Sequence, residues 1–168
     1  MSRVALAALN AGDRAAFVAA LGHLFELSPW VAAETFGRRP FRDAGHLHAE
    51  LCATLRASAP DRQLALIRAH PDLAARLEGL TRDSAGEQAG AGLDRLGEAE
   101  AAEFRRLNDA YRGRFGFPFV ICARLNARGA ILAAMKTRLG GDAAGERLNA
   151  LGEIEKIAWL RLQDAVMG

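Results

Sequence analysis

The sequence predicts an all-α fold, and three features lead to that expectation. Ala and Leu, both strong helix formers, account for 36 and 23 of the 168 residues. Val, Ile and Thr number only 5, 5 and 4, fewer than an extended sheet requires. Apolar residues recur at helical spacing along most of the chain. We therefore expect residues 1–168 to form a single-domain compact bundle of about eight helices.

The overall composition narrows the class of protein further. Hydrophobic residues make up 51% and charged residues 25%, which is typical of a folded globular chain. No apolar run is long enough to span a membrane, and the net charge of +2 without a basic run argues against nucleic acid as a partner. Cys52 and Cys122 suit a reducing compartment, and Asp13 and Arg14 interrupt any apolar leader. We expect a cytoplasmic location.

The first half of the chain predicts consecutive amphipathic helices. Asp13 is a candidate N-cap for the second of them. Ser28 and Pro29 resemble an N-cap followed by proline at the first helical position, and Pro71 ends the fifth helix. The expected segments are 2–9, 13–27, 29–36, 43–58 and 60–69.

The second half predicts more helices around one irregular stretch. The expected helices are 98–113, 126–140 and 142–166, preceded by a short helix at 71–77 and a helical turn at 84–91. Gly140 and Gly141 separate the last two helices. Gly116 and Pro118 stand among aromatic residues and predict an extended aromatic loop near 114–122.

His70 is a candidate proton donor or acceptor. Pro71 disfavours a helical conformation at His70, so the backbone fixes this histidine between two helices. Histidine titrates near neutral pH and can transfer a proton during a reaction. The alternative is an interhelix cap with a solvated ring.

The segment from Ser84 to Gln88 allows two interpretations. Ser84 and Glu87 match a capping box, in which Ser84 begins a helix and Glu87 reaches back. Alternatively, the exposed amides of this helix start bind an anion or a carbonyl, with Glu87 and Gln88 adding specific hydrogen bonds. Gly86 would let a ligand approach closely.

The aromatic loop and the last helix add two more candidates. The loop is either a hydrophobic plug or a recognition segment, in which the amides of Phe119 to Ala123 bind a planar, imide-like ligand. Arg161 shares an apolar stripe with Ile154 and Ile157, so it needs an anionic partner or ligand unless it snorkels to solvent.

No metal or cofactor site is expected. His46 and His48 point to different sides of a helix, and Cys52 adds no complete ligand set. The sequence contains no phosphate-binding loop and no dinucleotide fingerprint.

Several short motifs, in order, resemble one known family, the 2-oxo-4-hydroxy-4-carboxy-5-ureidoimidazoline (OHCU) decarboxylases of uric acid degradation. The resemblance covers about residues 10–164. Its motifs are Ser28-Pro29-Trp30, His70-Pro71-Asp72-Leu73, Ser84-x-x-Glu87-Gln88, Ala91-Gly92-Leu93, Phe104-x-x-Leu107-Asn108-x-Ala110-Tyr111, Arg114 through Cys122, and Glu153-Ile154-x-Lys156-Ile157-Ala158. The family's usual glycine near Leu125 and Asn126 is missing, as is the peroxisomal tripeptide of its animal members.

The resemblance implies an all-helical, cofactor-independent decarboxylase, typically a homodimer, that converts OHCU to (S)-allantoin and carbon dioxide. It implies that His70 is catalytic with Glu87 as its partner, and that Arg161 matches an arginine of the family's final helix. The implied substrate contacts are Pro71, Ser84, Ala85, Gly86, Glu87, Gln88, Phe119, Val120, Ile121, Cys122 and Ala123. The substrate's own conjugated ring can hold the electrons that carbon dioxide leaves behind, so no cofactor is expected. Two alternatives remain: a non-catalytic helical ligand-binding or interaction module, and a metal-dependent helical hydrolase.

Overall fold

The computed structural model describes residues 2–75 and 79–168, and most of them are helical, as predicted. The described residues form nine α-helices and two short 3-10 turns, Phe36–Arg38 and Ala123–Leu125. The helices are α1 Leu6–Ala11, α2 Arg14–Leu21, α3 Trp30–Thr35, α4 Ala44–Ala57, α5 Pro60–Arg68, α6 Arg82–Gly90, α7 Glu98–Phe115, α8 Arg128–Leu139 and α9 Ala143–Ala165. None of them is both long enough and apolar enough to cross a bilayer.

A two-residue strand near each end of the chain was not predicted. Strand β1, Val4–Ala5, pairs in parallel with strand β2, Val166–Met167. Because β1 takes up these residues, the first helix begins at Leu6 and not near residue 2.

The second helix is shorter than predicted, while its N-cap is confirmed. The Asp13 carboxylate accepts the Ala16 amide at 2.8 Å. The helix ends at Leu21 instead of residue 27, and Leu27 has a left-handed φ of 48°, which a helix does not contain. Ser28 does not cap the next helix, because its hydroxyl donates to the Glu26 carbonyl at 2.8 Å.

The chain divides into two compact units. The first unit comprises Met1–Leu66 and Glu155–Gly168, and the second comprises Ile67–Ile154. In the first unit, α3 packs against both α2 and α4. The hydroxyls of Thr35 and Thr54 lie 2.7 Å apart between α3 and α4. Its buried side chains include Phe17, Leu21, Leu24, Phe25, Leu47, Leu51, Leu55 and Leu162.

In the second unit, α7 packs against α8, and α6 packs against the 3-10 turn Ala123–Leu125. Its buried side chains include Phe104, Leu107, Tyr111, Phe117, Phe119, Ile131, Met135 and Leu151. The predicted short helix at 71–77 is wrong over residues 71–75, which form a turn with Ala74 at a φ of 58°, while residues 76–78 lie outside the described part of the chain.

Candidate active site

His70 lies directly after α5, where the sequence predicted a break. Its amide donates to the Ile67 carbonyl at 3.2 Å, and Pro71 follows it. The residue is only 7% exposed, so the alternative of a solvated ring is wrong. A histidine whose backbone and surroundings are both fixed can hold one ring orientation, which proton transfer requires.

The segment after His70 is held by side chains from two helices. Gln88 of α6 accepts the Ala74 amide at 3.0 Å and donates to the Asp72 carbonyl at 3.3 Å. Asn108 of α7 donates to the Leu73 carbonyl at 2.8 Å. Both ends of the Gln88 amide therefore bind the chain next to His70.

Helix α6 begins earlier than predicted, and this corrects the capping assignment. Thr81 is the N-cap, because its hydroxyl accepts the Ser84 amide at 3.2 Å. The Ala85 amide donates to the Thr81 carbonyl at 2.9 Å. Ser84 and Glu87 therefore do not form the N-cap of a capping box, and the amides of Ser84 and Ala85 are already bonded.

The side chains of this helix turn differ in their burial. Ser84 is buried, and Glu87 is half-buried. A Cβ added to Gly86 would meet no atom of the described chain within 4 Å beyond its immediate neighbours and its own helix backbone. There is thus room for a ligand beside Gly86.

The aromatic loop follows α7 where the glycine and proline predicted it. Gly116 ends the helix with a left-handed φ of 76°, and residues 117–122 form neither helix nor strand. Phe117 and Phe119 are buried, and the Phe119 ring packs edge-on against Tyr111 at 5.3 Å. These two rings therefore form the plug that the sequence suggested.

Within this loop, alternate residues have different hydrogen-bonding partners. The Val120 carbonyl accepts Arg138 Nη1 at 2.8 Å, and the Cys122 amide donates to Glu153 Oε1 at 3.2 Å. In the part of the chain that the structure describes, no hydrogen bond reaches the main chain of Phe119 or Ile121. In extended backbone, successive residues direct their polar groups to opposite edges. One edge of the loop, at Val120 and Cys122, is thus bound by protein side chains, while the other edge, at Phe119 and Ile121, is buried and has no hydrogen-bond partner in the described part of the chain.

Glu87 lies close to this loop. Burial raises the pKa of the Cys122 thiol, and the carboxylates of Glu153 and Glu87 raise it further. Cys122 is therefore a neutral thiol at neutral pH and not a nucleophile. The structure brings together α6 and the loop, and through Gln88 it also ties the His70 segment to α6.

Arg161 belongs to the first unit, where it has an internal partner. Its Nη2 lies 2.9 Å from Glu26 Oε2, and its Nη1 donates to the His23 carbonyl at 3.0 Å. The side chains of Arg161 and Glu26 are 3% and 2% exposed. The apolar stripe is confirmed, and the snorkelling alternative is wrong.

Sequence reasoning missed a second arginine that pairs with a buried glutamate, Arg138, whose side chain is 14% exposed. Its Nε lies 2.8 Å from Glu146 Oε1, which also accepts the Tyr111 hydroxyl at 2.7 Å. The sequence did contain a pattern that indicates such an arginine, because Arg138 follows Ile131 and Met135 on one face of α8. Arg161 follows Ile154 and Ile157 in the same way on α9.

The His48 and Cys52 pair is a hydrogen-bonded contact. His48 Nε2 lies 3.4 Å from Cys52 Sγ and 2.8 Å from the Glu155 carbonyl. Burial raises the pKa of Cys52 to about 12, which keeps it a thiol at neutral pH. Among the described residues, no three His, Cys, Asp or Glu side chains gather as metal ligands would.

The fold and the candidate site define a helical protein in which a buried histidine and a carboxylate-bearing helix are tied to an irregular loop. A family model described as OHCU decarboxylase matches residues 10–163. A relative from Halalkalicoccus jeotgali, a 2-oxo-4-hydroxy-4-carboxy-5-ureidoimidazoline decarboxylase, is 42% identical over 98% of this chain and 93% of its own. The chain belongs to the OHCU decarboxylase family.

Two solved structures are similar to this chain in fold. A crystal structure of (S)-allantoin synthase matches 98% of this chain with a TM-score of 0.77 and 30% identity, and this chain spans 54% of that one. A crystal structure of OHCU decarboxylase in the presence of (S)-allantoin has a TM-score of 0.69 over 91% of this chain and 97% of its own. At 21% identity, this second match shows the fold alone.

Proposed function

We propose that this protein decarboxylates OHCU to (S)-allantoin and carbon dioxide in urate degradation, with no cofactor. One observation in the structure carries the proposal. Helix α6, which bears Glu87, binds the segment after His70 through Gln88 and packs against the end of the aromatic loop. This arrangement supports a site in which the proposed proton-transfer groups and the proposed recognition edge adjoin one helix.

We assign binding of the substrate's ureido group to the aromatic loop. Phe119 and Ile121 are buried, and their main chain offers N–H donors and C=O acceptors in alternation. A cyclic urea or ureido group presents the same two kinds of polar group, so it can pair with this edge as a neighbouring strand would. Fixed main-chain donors cost little reorganisation when charge develops on the ligand.

The reaction needs an electron sink and one proton. When the bond to the carboxylate breaks, carbon dioxide leaves and its electron pair delocalises into the conjugated ring of OHCU. A proton then adds to that carbon. We assign its delivery to His70, oriented by Glu87, because a fixed donor protonates one face and yields one enantiomer.

The remaining predicted contacts keep their assignments with one revision. Pro71, the segment from Ser84 to Gln88 and the loop stay proposed substrate contacts, and Gln88 has the added role of holding the His70 segment. Arg161 stays a proposed ligand of the substrate carboxylate, with Glu26 holding one side of its guanidinium. A homodimer and a cytoplasmic location also stay proposals, and light scattering tests the first.

Freshly generated OHCU tests the proposed function. Purified protein should speed the loss of the OHCU signal above its spontaneous decay and should give (S)-allantoin alone by circular dichroism. Dialysis against a chelator should leave the rate unchanged, and a loss restored by zinc or manganese would support the metal-dependent hydrolase. Binding of (S)-allantoin with no rate above spontaneous decay would instead support the non-catalytic module.

A further inference from the structure

Arg138 makes two contacts with the aromatic loop and a third with Glu146 of α9. Its Nη1 donates to the Val120 carbonyl at 2.8 Å, and its guanidinium carbon lies 4.3 Å from the centre of the Phe119 ring. Its Nε is held by Glu146, which is itself buried and also accepts Asn149 Nδ2 at 2.7 Å. Because Glu146 is fixed by several donors, the arginine it holds has one orientation.

Glu153 binds the same loop two residues later. Its Oε1 accepts the Cys122 amide at 3.2 Å, and Asn126 Nδ2 donates to the Cys122 carbonyl at 2.9 Å. Val120 and Cys122 are alternate residues, so their polar groups lie on one edge of an extended chain. Side chains from α8 and α9 thus hold the same edge, opposite the one at Phe119 and Ile121.

We propose that Arg138 and Glu153 are positioning residues, which hold one edge of the loop so that the main chain of Phe119 and Ile121 binds the ureido edge of substrate and product. This inference rests on the proposed function. Neither side chain takes part in bond breaking. Their loss should weaken binding of any ligand with that edge, including a product that has no carboxylate, and should leave the chemical step nearly unchanged.

The two substitutions at Glu153 give the sharpest test. Glu153→Gln keeps a carbonyl oxygen that can accept the Cys122 amide, whereas Glu153→Met keeps the length and removes the acceptor. We expect Glu153→Met to raise both the Kd for (S)-allantoin and the KM for OHCU about tenfold, the scale of one lost buried hydrogen bond. Its kcat should change less than about threefold, and Glu153→Gln should restore binding to near the wild-type value.

Substitution of Arg138 alone would leave the Glu146 carboxylate buried without its cation. Arg138→Met is therefore made in a Glu146→Gln protein and compared with Glu146→Gln alone. The same rise in Kd and KM is expected. Matched controls are Glu103→Met and Arg106→Met, which break an exposed ion pair of 2.8 Å on α7 and should leave the Kd unchanged.

The outcomes separate the inference from the proposed function. An unchanged Kd in both Glu153→Met and the Arg138 variant, even with a lower Tm, overturns the inference, since the residues would then be merely structural. Equal weakening by Glu153→Gln and Glu153→Met overturns it as well. A wild-type protein that binds (S)-allantoin but does not decarboxylate OHCU contradicts the proposed function, and the Kd comparison still decides the inference. A wild-type protein that does not bind (S)-allantoin contradicts the inference.

Discussion

Each of the two units contains an arginine that pairs with a buried glutamate and also donates to a main-chain carbonyl. In the first unit, Arg161 pairs with Glu26 and binds the carbonyl of His23. In the second unit, Arg138 pairs with Glu146 and binds the carbonyl of Val120. The same arrangement therefore fixes irregular backbone in both places.

The two pairs differ in what they fix. Arg161 holds the turn after α2, within the first unit's own core. Arg138 holds the loop that presents the proposed recognition edge, and it also packs on the Phe119 ring. A buried ion pair is weak evidence for stability by itself, because desolvation offsets much of its attraction. The role that the two ion pairs share is therefore to hold a segment of main chain in place.

The largest kinetic effect should come from His70 and from neither pair. If the pairs position the chain and His70 performs the chemistry, His70→Asn should lower kcat by roughly 10²–10⁴-fold. Initial rates on OHCU measure this, and the Tm shows that the variant stays folded. Turnover close to the wild-type rate would mean that His70 is only a spacer between helices.

The next effect concerns stability in the first unit. Arg161→Leu leaves the Glu26 carboxylate buried without its cation, which typically costs about 3–5 kcal/mol. Urea unfolding should show this loss through a lower midpoint. The double variant Arg161→Leu with Glu26→Leu removes both charges and should recover most of the stability.

The same two variants distinguish a structural role of Arg161 from a role in substrate binding. If Arg161 also binds the substrate carboxylate, the stable double variant should still have a raised KM for OHCU. A double variant with wild-type stability and wild-type KM would restrict Arg161 to the structural role that its partner Glu26 already shows.

Periodic segments and turn residues made most of the fold predictable. The long helices followed from apolar spacing, and the aromatic loop followed from Gly116 and Pro118, which end a helix by local geometry. The position of His70 between helices followed from Pro71 for the same reason. Such features can be predicted from the sequence because each residue acts on backbone within one or two helical turns of itself.

Other features depend on contacts between distant residues, which no local pattern specifies. The pairing of Val4 with Val166 joins opposite ends of the chain. Thr81 and Ser84 are both good N-cap residues, and the sequence alone did not favour the earlier one. The partners of Arg138 could not be predicted either, since its spacing places it on the apolar face of α8 and does not identify Glu146 or Val120.

A smaller effect should distinguish the α6 cap from the α6 carboxylate. Glu87→Gln keeps the shape of the side chain, so the Tm should stay within a few degrees while kcat/KM falls at least about tenfold. Thr81→Ala removes the cap and should cost about 1 kcal/mol of stability with little change in kcat. A Glu87→Gln variant whose stability falls in proportion to its activity would make Glu87 structural.

The smallest effect sharpens the comparison of the two pairs, because Glu146 has a phenol donor in addition to its arginine. Tyr111→Phe removes one hydrogen bond to Glu146 and leaves Arg138 and Asn149 in place, so the expected cost is about 1–2 kcal/mol of unfolding free energy.

Burial and the hydrogen bond to Glu146 raise the pKa of Tyr111 above its usual value. Below pH of about 10 the phenol is protonated in both the folded and the unfolded state, so its full contribution is present. As the pH rises further, the unfolded chain releases the proton first, and this contribution declines toward the folded pKa. The difference in Tm between wild type and Tyr111→Phe should therefore shrink above pH of about 10. Tyr111 is the only tyrosine in the sequence, so tyrosinate absorbance reports on this group alone. Titration of the native protein near the value for the unfolded chain would mean that the phenol is not held by Glu146, and the second pair would then have no more support than the first.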